Sequence, residues 1–509
     1  MTIHQFVHRS WRTTVAAACL LLAGNVLGQA LDQRPNIVFI LIDDQRYDAF
    51  SFAGHPFLET PHLDRLASEG VVFENAFVTT SLCSPSRASI LTGQYAHRHK
   101  VLANRTALDP SIPTFATALE AAGYDTAFVG KWHMGAPDDS PRPGFSRWVS
   151  FPGQGTYNDQ RLNVDGEYVE SDGYVTDVLT DYAVDFITDP HSRPFMLYLS
   201  HKAVHAPFTA APRHQDSYQG ERYPYPDTMA DTEENYRGKP DWVKAQRNSW
   251  HGVDGMYNGS VDFDRFVLDY AETLRAVDDS VGRVMAALDD AGILEETLVV
   301  FTSDNGFQFG EHGLIDKRTM YEASIRVPLI IRGPAGGRGG KRLQQMVLNL
   351  DFAPTFIELA GGQVPDSMQG RSFAPILQDS AAPGRDAFLY EYFWERAFPQ
   401  TPTVLGVRTD QHKLMRYHGV WDRYELYDLA ADPQEKHNLL GKFVTTTEVG
   451  HVETRVLGGR NAAERAFLGP GAEDETLRAL FYRLWLRLDE LIAETGAAAE
   501  PNWRPSGER

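Results

Sequence analysis

The chain has 509 residues, enough for two or three domains with large cores, and its apolar and charged fractions (42% and 23%) exclude a disordered or fibrous protein. Lys and Arg number 48 against 68 Asp and Glu, a net charge of −20, which argues against non-specific nucleic-acid binding. An anionic substrate must therefore be drawn by a local positive site, because the global field repels it.

At the N-terminus, His8, Arg9 and Arg12 precede the apolar run Val15 to Gly24 and the small residues around Gly28-Gln29-Ala30. This reads as a secretory signal peptide over residues 1–30, since the run is too short to span a bilayer comfortably; a membrane anchor is the alternative. Cleavage would remove Cys19 and leave Cys83 as the single cysteine of a secreted or periplasmic chain with no membrane segment. No intramolecular disulfide can then form, so a retained lone cysteine points to chemistry at its position.

Ile37 to Ile42 is a continuous apolar run of strand length, suited to a central parallel strand buried on both faces, and it ends in Asp43-Asp44. Two adjacent carboxylates there need a cation or donors, and hard oxygen ligands suit Ca²⁺ or Mg²⁺; a solvated turn or a helix cap is the plain alternative. Thr60 to Gly70 carries the cap, Pro and Gly of a short connecting helix. Cys83 then stands ahead of Pro85, with Ile90 and Leu91 following and Gly93 placed to stop a helix. A helix N-terminus aimed at Cys83, with Arg87 four residues on, makes a point suited to an oxyanion; a buried cysteine beside an ordinary cap is the alternative.

Pro113 to Gly123 repeats the Pro-start, Gly-stop pattern of a helix, and three more strands follow in the same grammar. Thr126–Val129 leads into Lys131 and His133, Phe195–Leu199 into His201 and His205, and Leu298–Thr302 into Asp304 and Asn305. In an open α/β sheet, ligands bind beyond the carboxyl ends of the strands, so these groups and Asp43 and Asp44 are placed to meet. Leu274, Val277, Val281, Val284 and Leu288 recur at helical spacing and describe a helix covering one sheet face. Val327–Ile331 is another strand, after the stretch from Gly310 to Glu322 that carries His312 and Lys317. The segment from Thr209 to Asp264 lacks periodicity and could wall a cleft, with Trp242, Trp250 and Tyr257 able to stack on sugars or to pack the loop.

After Ala382-Pro383-Gly384 the texture changes to short strands at 387–394, 404–409, 413–417 and 423–427, with a hairpin turn at Thr409–His412 and a closing helix near Leu477 to Ile492. The expected architecture is α/β: a large mixed, mostly parallel sheet flanked by helices in residues 31–384, with a smaller C-terminal α+β domain in 385–509 built on an antiparallel sheet.

The order Cys83-x-Pro85-Ser86-Arg87, with Lys131-Trp132-His133, His205-x-Pro207 and Lys317-x-x-x-Tyr321-Glu322 downstream, resembles the formylglycine-dependent (type I) sulfatases of the alkaline-phosphatase-like superfamily. Thr79 to Gly93 and Gly419 to Asp428 look like those of bacterial carbohydrate sulfatases, such as N-acetylglucosamine-6-sulfatases. The resemblance implies that a maturation enzyme oxidises Cys83 to formylglycine, and that the hydrated aldehyde attacks a carbohydrate sulfate ester. It implies that Asp43, Asp44, Asp304, Asn305 and the converted Cys83 ligate one Ca²⁺ per chain, and that Arg87 and Lys131 hold aldehyde and sulfate. His133 would break down the sulfated intermediate, His205 would stand near the leaving oxygen, and Lys317 would contact sulfate and assist departure. His201 and His312 are sugar-contact candidates only. Sulfate monoesters and phosphate diesters both carry one negative charge, so a phosphonate or phosphodiester hydrolase is the alternative. A non-catalytic glycan-binding relative is a third reading, against which the intact set of Lys131, His133, His205 and Lys317 argues.

Overall fold

The computed structural model describes residues 34–135, 137–259, 262–420, 423–440 and 475–499; the signal-peptide reading of residues 1–30 lies outside them, as do Trp421 and Asp422. The strands, in chain order, begin with β1 (Asn36–Ile42), β2 (Val71–Phe77), β3 (Asp125–Lys131), β4 (Arg147–Phe151), β5 (Leu162–Val164), β6 (Glu167–Val169), β7 (Phe195–Ser200) and β8 (Thr297–Ser303). They continue with β9 (Gln308–Phe309), β10 (Ile315–Asp316), β11 (Leu329–Arg332), β12 (Lys341–Leu348), β13 (Ala387–Tyr392), β14 (Thr403–Thr409), β15 (His412–His418) and β16 (Tyr424–Asp428).

Ten of them form one sheet in the order β12-β2-β11-β8-β1-β7-β3-β4-β5-β6. The four apolar runs that end in ionisable side chains are neighbours at its centre, β8, β1, β7 and β3, and every pairing among them is parallel. Their registers are aligned: Ile42 faces Ser303, Leu41 faces Ser200, and Gly130 faces Ser200, so all four strands finish at one level. Parallel strands covered on both faces are apolar along their whole length, and β1 shows why. Ile37, Phe39 and Leu41 enter one core with Phe128, Tyr198, Phe352 and Phe356, whereas Val38, Ile40 and Ile42 enter the other.

That second core is covered by the 28-residue helix Phe263–Asp290, which buries Leu274, Val277, Val281, Val284 and Leu288 as the spacing predicts. The segment from Thr209 to Asp264 holds three short helices, Glu233–Tyr236, Asp241–Gln246 and Met256–Gly259, among turns. β13 to β16 form the antiparallel sheet, with the helix Glu475–Thr495 against it through Tyr424, Phe481 and Trp485. Phe388 of β13 stacks on Phe77 of β2 at 5.4 Å, so the two sheets share a core.

One position shows how tightly β3 lies on β7. Gly130 has φ of +123°, and a Cβ there would lie 1.8 Å from the Ser200 carbonyl oxygen. Gly130→Ala is expected to cost about 3 kcal/mol or more, by combining forbidden backbone geometry with a backbone clash. A denaturant midpoint equal to that of the wild type would contradict this account of the β3–β7 contact.

Candidate active site

The ends of β1, β7 and β8 are sewn together before any side chain is considered. Asp304 N donates to Ile42 O at 3.0 Å, Asp43 N to Ala203 O at 3.0 Å, and Val204 N to Asp43 O at 2.8 Å. Asp44 takes a left-handed φ of 64°, a conformation Asp tolerates better than most residues, and its carbonyl accepts from Tyr270 OH of the long helix at 2.9 Å. Three carboxylates thereby converge: Asp43, Asp44 and Asp304 are fully buried, and each offers an oxygen within 4.8 Å of the others.

Three cations answer them. Arg87, on the helix Cys83–Thr92, donates through Nε to Asp304 Oδ2 at 2.8 Å and through one terminal nitrogen to Lys131 O and Ser200 Oγ, each at 2.7 Å. Lys131 Nζ contacts Asp43 and Gln154, and Lys317 Nζ donates to both oxygens of Asp44 at 2.7 and 2.6 Å. Burial alone would raise Asp43, but Lys131, with Arg87 and Lys317, outweighs it and holds its carboxyl well below the usual range. Asp44 and Asp304 go the other way: burial, with repulsion from Asp43, pushes Asp44 up to about 6 and Asp304 up to about 7. Carboxyl groups raised in this way mark a site where a further positive charge would favour the ionised form. Asn305 Nδ2 donates to Asp44 Oδ1 at 2.7 Å and to Gly306 O, which leaves Asn305 Oδ1 buried without a partner. An all-oxygen donor set of this charge, with an orphaned carbonyl oxygen, fits a hard divalent cation.

Cys83 is the first residue of its helix, whose N-cap Leu82 supplies no side-chain acceptor, and its Sγ donates to Asp43 Oδ1 at 3.5 Å. His133 has a left-handed φ of 56°, its carbonyl accepts from Ser84 Oγ, and its Nδ1 is buried without a partner. Burial, then Lys131, holds its pKa well below the ordinary imidazole range. His205 Nδ1 lies 2.6 Å from Ala206 O, which can only accept; Nδ1 therefore carries the proton and Nε2 faces Asp44 Oδ2 at 3.8 Å. Burial and Lys317 push His205 down as well, so it is a neutral imidazole near pH 7. Lys317 is held well above its usual range, because Asp316 and Asp44 outweigh its burial.

The residues singled out from the sequence therefore meet, with three exceptions among the sugar-contact candidates, His201, His312 and Trp242. His201 points under the long helix, with Nε2 3.0 Å from Ser280 Oγ, and is fully buried there. His312 is buried against Tyr321, ring centroids 4.0 Å apart, beside a separate cavity. A cavity of about 520 Å³ opens beside His205 and Lys317 and is lined by Trp250 and Tyr257, whereas Trp242 packs on Tyr417 of the second sheet. Gln154, Asp316 and Arg318 at this cavity were not anticipated. Gln154 lies in a short loop with no periodicity to mark it, and Asp316 and Arg318 flank Lys317 without a spacing signal of their own.

The family profile described as Sulfatase matches residues 35–362, and that described as N-sulphoglucosamine sulphohydrolase, C-terminal, matches residues 310–460. The N-acetylglucosamine-6-O-sulfatase of Bacteroides thetaiotaomicron is 34% identical, over 81% of this chain and 83% of that protein. The N-acetylglucosamine-6-sulfatase of Homo sapiens is 33% identical, over 76% of this chain and 73% of that protein. A solved structure of a protein in complex with its substrate D-glucosamine-2-N,6-O-disulfate superposes with a TM-score of 0.78 at 30% identity, covering 92% of this chain and 99% of the other.

The carboxylate geometry predicts stabilisation by a divalent cation. Calcium at a hundred times its dissociation constant should add about 2.7 kcal/mol, read as a rise in Tm that a chelator reverses. Asn305→Ala should lose most of that response; an equal calcium response in the two proteins would remove Asn305 from the donor set.

Proposed function

The chain belongs to the sulfatase family and is a carbohydrate sulfatase, and from that premise we propose that it hydrolyses the 6-O-sulfate of N-acetylated or N-sulfated glucosamine. The observation that carries this reading is the charge-matched cluster around Cys83: Arg87, Lys131 and Lys317 balance Asp43, Asp44 and Asp304. A divalent cation would turn that neutral cluster locally positive, which a sulfate ester needs in a chain of net charge −20. The substrate assignment follows what the similar proteins act on.

In this reading a maturation enzyme converts Cys83 to formylglycine, whose hydrated aldehyde supplies the attacking hydroxyl. Burial pushes the Cys83 thiol well above its ordinary range, the opposite of what a thiolate nucleophile requires, and this supports conversion. Calcium held by Asp43, Asp44, Asp304, Asn305 and residue 83 would polarise a sulfate oxygen and the nucleophile. Arg87 orients Asp304, and Lys131 and Lys317 direct ammonium groups at the remaining sulfate oxygens. The bond from sulfur to the sugar oxygen breaks, and Lys317, with His205 Nε2 beside it, delivers the proton that this oxygen needs. His133, neutral and with an unpartnered Nδ1, accepts the proton of the second hydroxyl on residue 83 as sulfate is released. The enzyme would be secreted or periplasmic, with residues 1–30 removed, a point that the N-terminal sequence of the mature protein checks.

Sulfate release from a panel of defined sugars tests the substrate: N-acetylglucosamine 6-sulfate should be turned over, and its 3-sulfated isomer and a phosphodiester should not. Preference for the phosphodiester would favour the alternative hydrolase. Cys83→Ala should lower sulfate release by about 10⁴-fold or more while leaving Tm nearly unchanged, since the deleted group is the nucleophile. Mass spectrometry of the wild-type peptide should show the thiol-bearing carbon replaced by an aldehyde. Wild-type turnover by Cys83→Ala would remove residue 83 from the mechanism.

A further inference from the structure

Each cation that the sequence marked at this site is already matched with a carboxylate: Arg87 with Asp304, Lys131 with Asp43, and Lys317 with Asp44. Lys202 differs. It lies two residues beyond the end of β7, only 2% exposed, with its Nζ 4.6 Å from the centroid of the Tyr157 ring. Among the described residues it has no carboxylate, carbonyl or hydroxyl within hydrogen-bond or ion-pair reach. The Tyr157 hydroxyl is spent elsewhere, donating to His205 O at 2.8 Å, so only the ring face meets the ammonium. An ammonium so nearly buried, whose partner within the described residues is an aromatic face, is under-compensated, and an anion would complete it.

The position of Lys202 says which anion. Its carbonyl accepts from His205 N at 3.1 Å, and the next residue, Ala203, accepts from Asp43 N, so one turn carries Lys202 and ties it to the groups around Cys83. Burial, then Lys131, pushes its pKa down to about 8, whereas Asp43, Asp44 and Cys83 pull it up, which places its charge within the field of the reacting centre.

We propose that Lys202 is a further anion-binding residue of the sulfate site, its ammonium taking an oxygen of the substrate's sulfate ester while the Tyr157 face fixes the side chain. This rests on the sulfatase reading above. A fourth cation here raises affinity for the sulfate group itself, whatever sugar bears it.

Binding of inorganic sulfate, read as a Tm shift and as competitive inhibition, tests this on the calcium-loaded, converted enzyme. Lys202→Met keeps the length and apolar stem that pack on Tyr157. It should weaken inorganic sulfate about ten- to a hundred-fold and raise KM for the 6-sulfated monosaccharide by a similar factor, with kcat changed far less. Lys202→Arg should recover part of both. Equal sulfate affinity and KM in wild type and Lys202→Met would overturn the proposal, even if Tm fell, because that pattern marks a packing role only. A loss confined to N,6-disulfated glucosamine would also overturn it, since Lys202 would then read the second sulfate. Inorganic sulfate carries no sugar, so a wrong sugar assignment leaves wild-type sulfate binding intact, and wild-type protein that binds no sulfate would refute the Lys202 role directly.

Discussion

Three carboxylates forced together at the buried ends of adjacent strands are the constraint on which the rest of this site depends. Like charges at such separations repel strongly where water is excluded, and here burial adds to the repulsion, lifting Asp44 and Asp304 far above ordinary carboxyl behaviour. Arg87, Lys131 and Lys317 exist at these positions as counter-charges as much as for any role toward substrate. Their balance is close to neutral, so one divalent cation is enough to make an attractive pocket for an anion in a strongly acidic protein.

Holding that cluster requires rigidity, and the sheet supplies it. The common level at which β8, β1, β7 and β3 end sets the spacing of Asp304, Asp43, Lys131 and the turn to His205, and backbone hydrogen bonds between the loops lock the level. Lys317 comes from outside this set and is held by the second sheet. Lys413 of β15 is fully buried, donates to Met320 O and pairs with Glu322 and Glu435, while Arg408 of β14 also reaches Glu322. The antiparallel sheet thus clamps the segment that delivers Lys317 to Asp44, which gives the smaller region a part in building the cluster.

Much of this was legible in the residues themselves. Apolar runs ending in Asp43-Asp44, Lys131, Ser200-His201 and Asp304-Asn305 announced strands and the edge at which chemistry gathers, because burial on two faces leaves no polar residue until the strand ends. Gly93, at φ of 62°, stops the Cys83 helix where its position implied. The hairpin between β14 and β15 and the long amphipathic helix were equally visible, since both are written in local periodicity and turn chemistry.

Other features had no local signature. His201 and His205 look alike in sequence, yet one is buried against Ser280 beneath a helix and the other faces the site. Lys202 stands beside them, and nothing in its neighbours tells that it lacks a counter-ion. Trp242 and Trp250 lie in one aperiodic segment, but only Trp250 lines the cavity. The sequence by itself determined the strands, the long helix, the family and most of the side chains that gather at the strand ends, because those depend on residues close together in the chain. Which charge pairs with which, which is left without a partner, and which aromatic ring reaches the cavity were decided by the tertiary structure. Those outcomes depend on segments separated by up to some 270 residues, as Lys317 is from Asp44, and no local pattern encodes a distance between them.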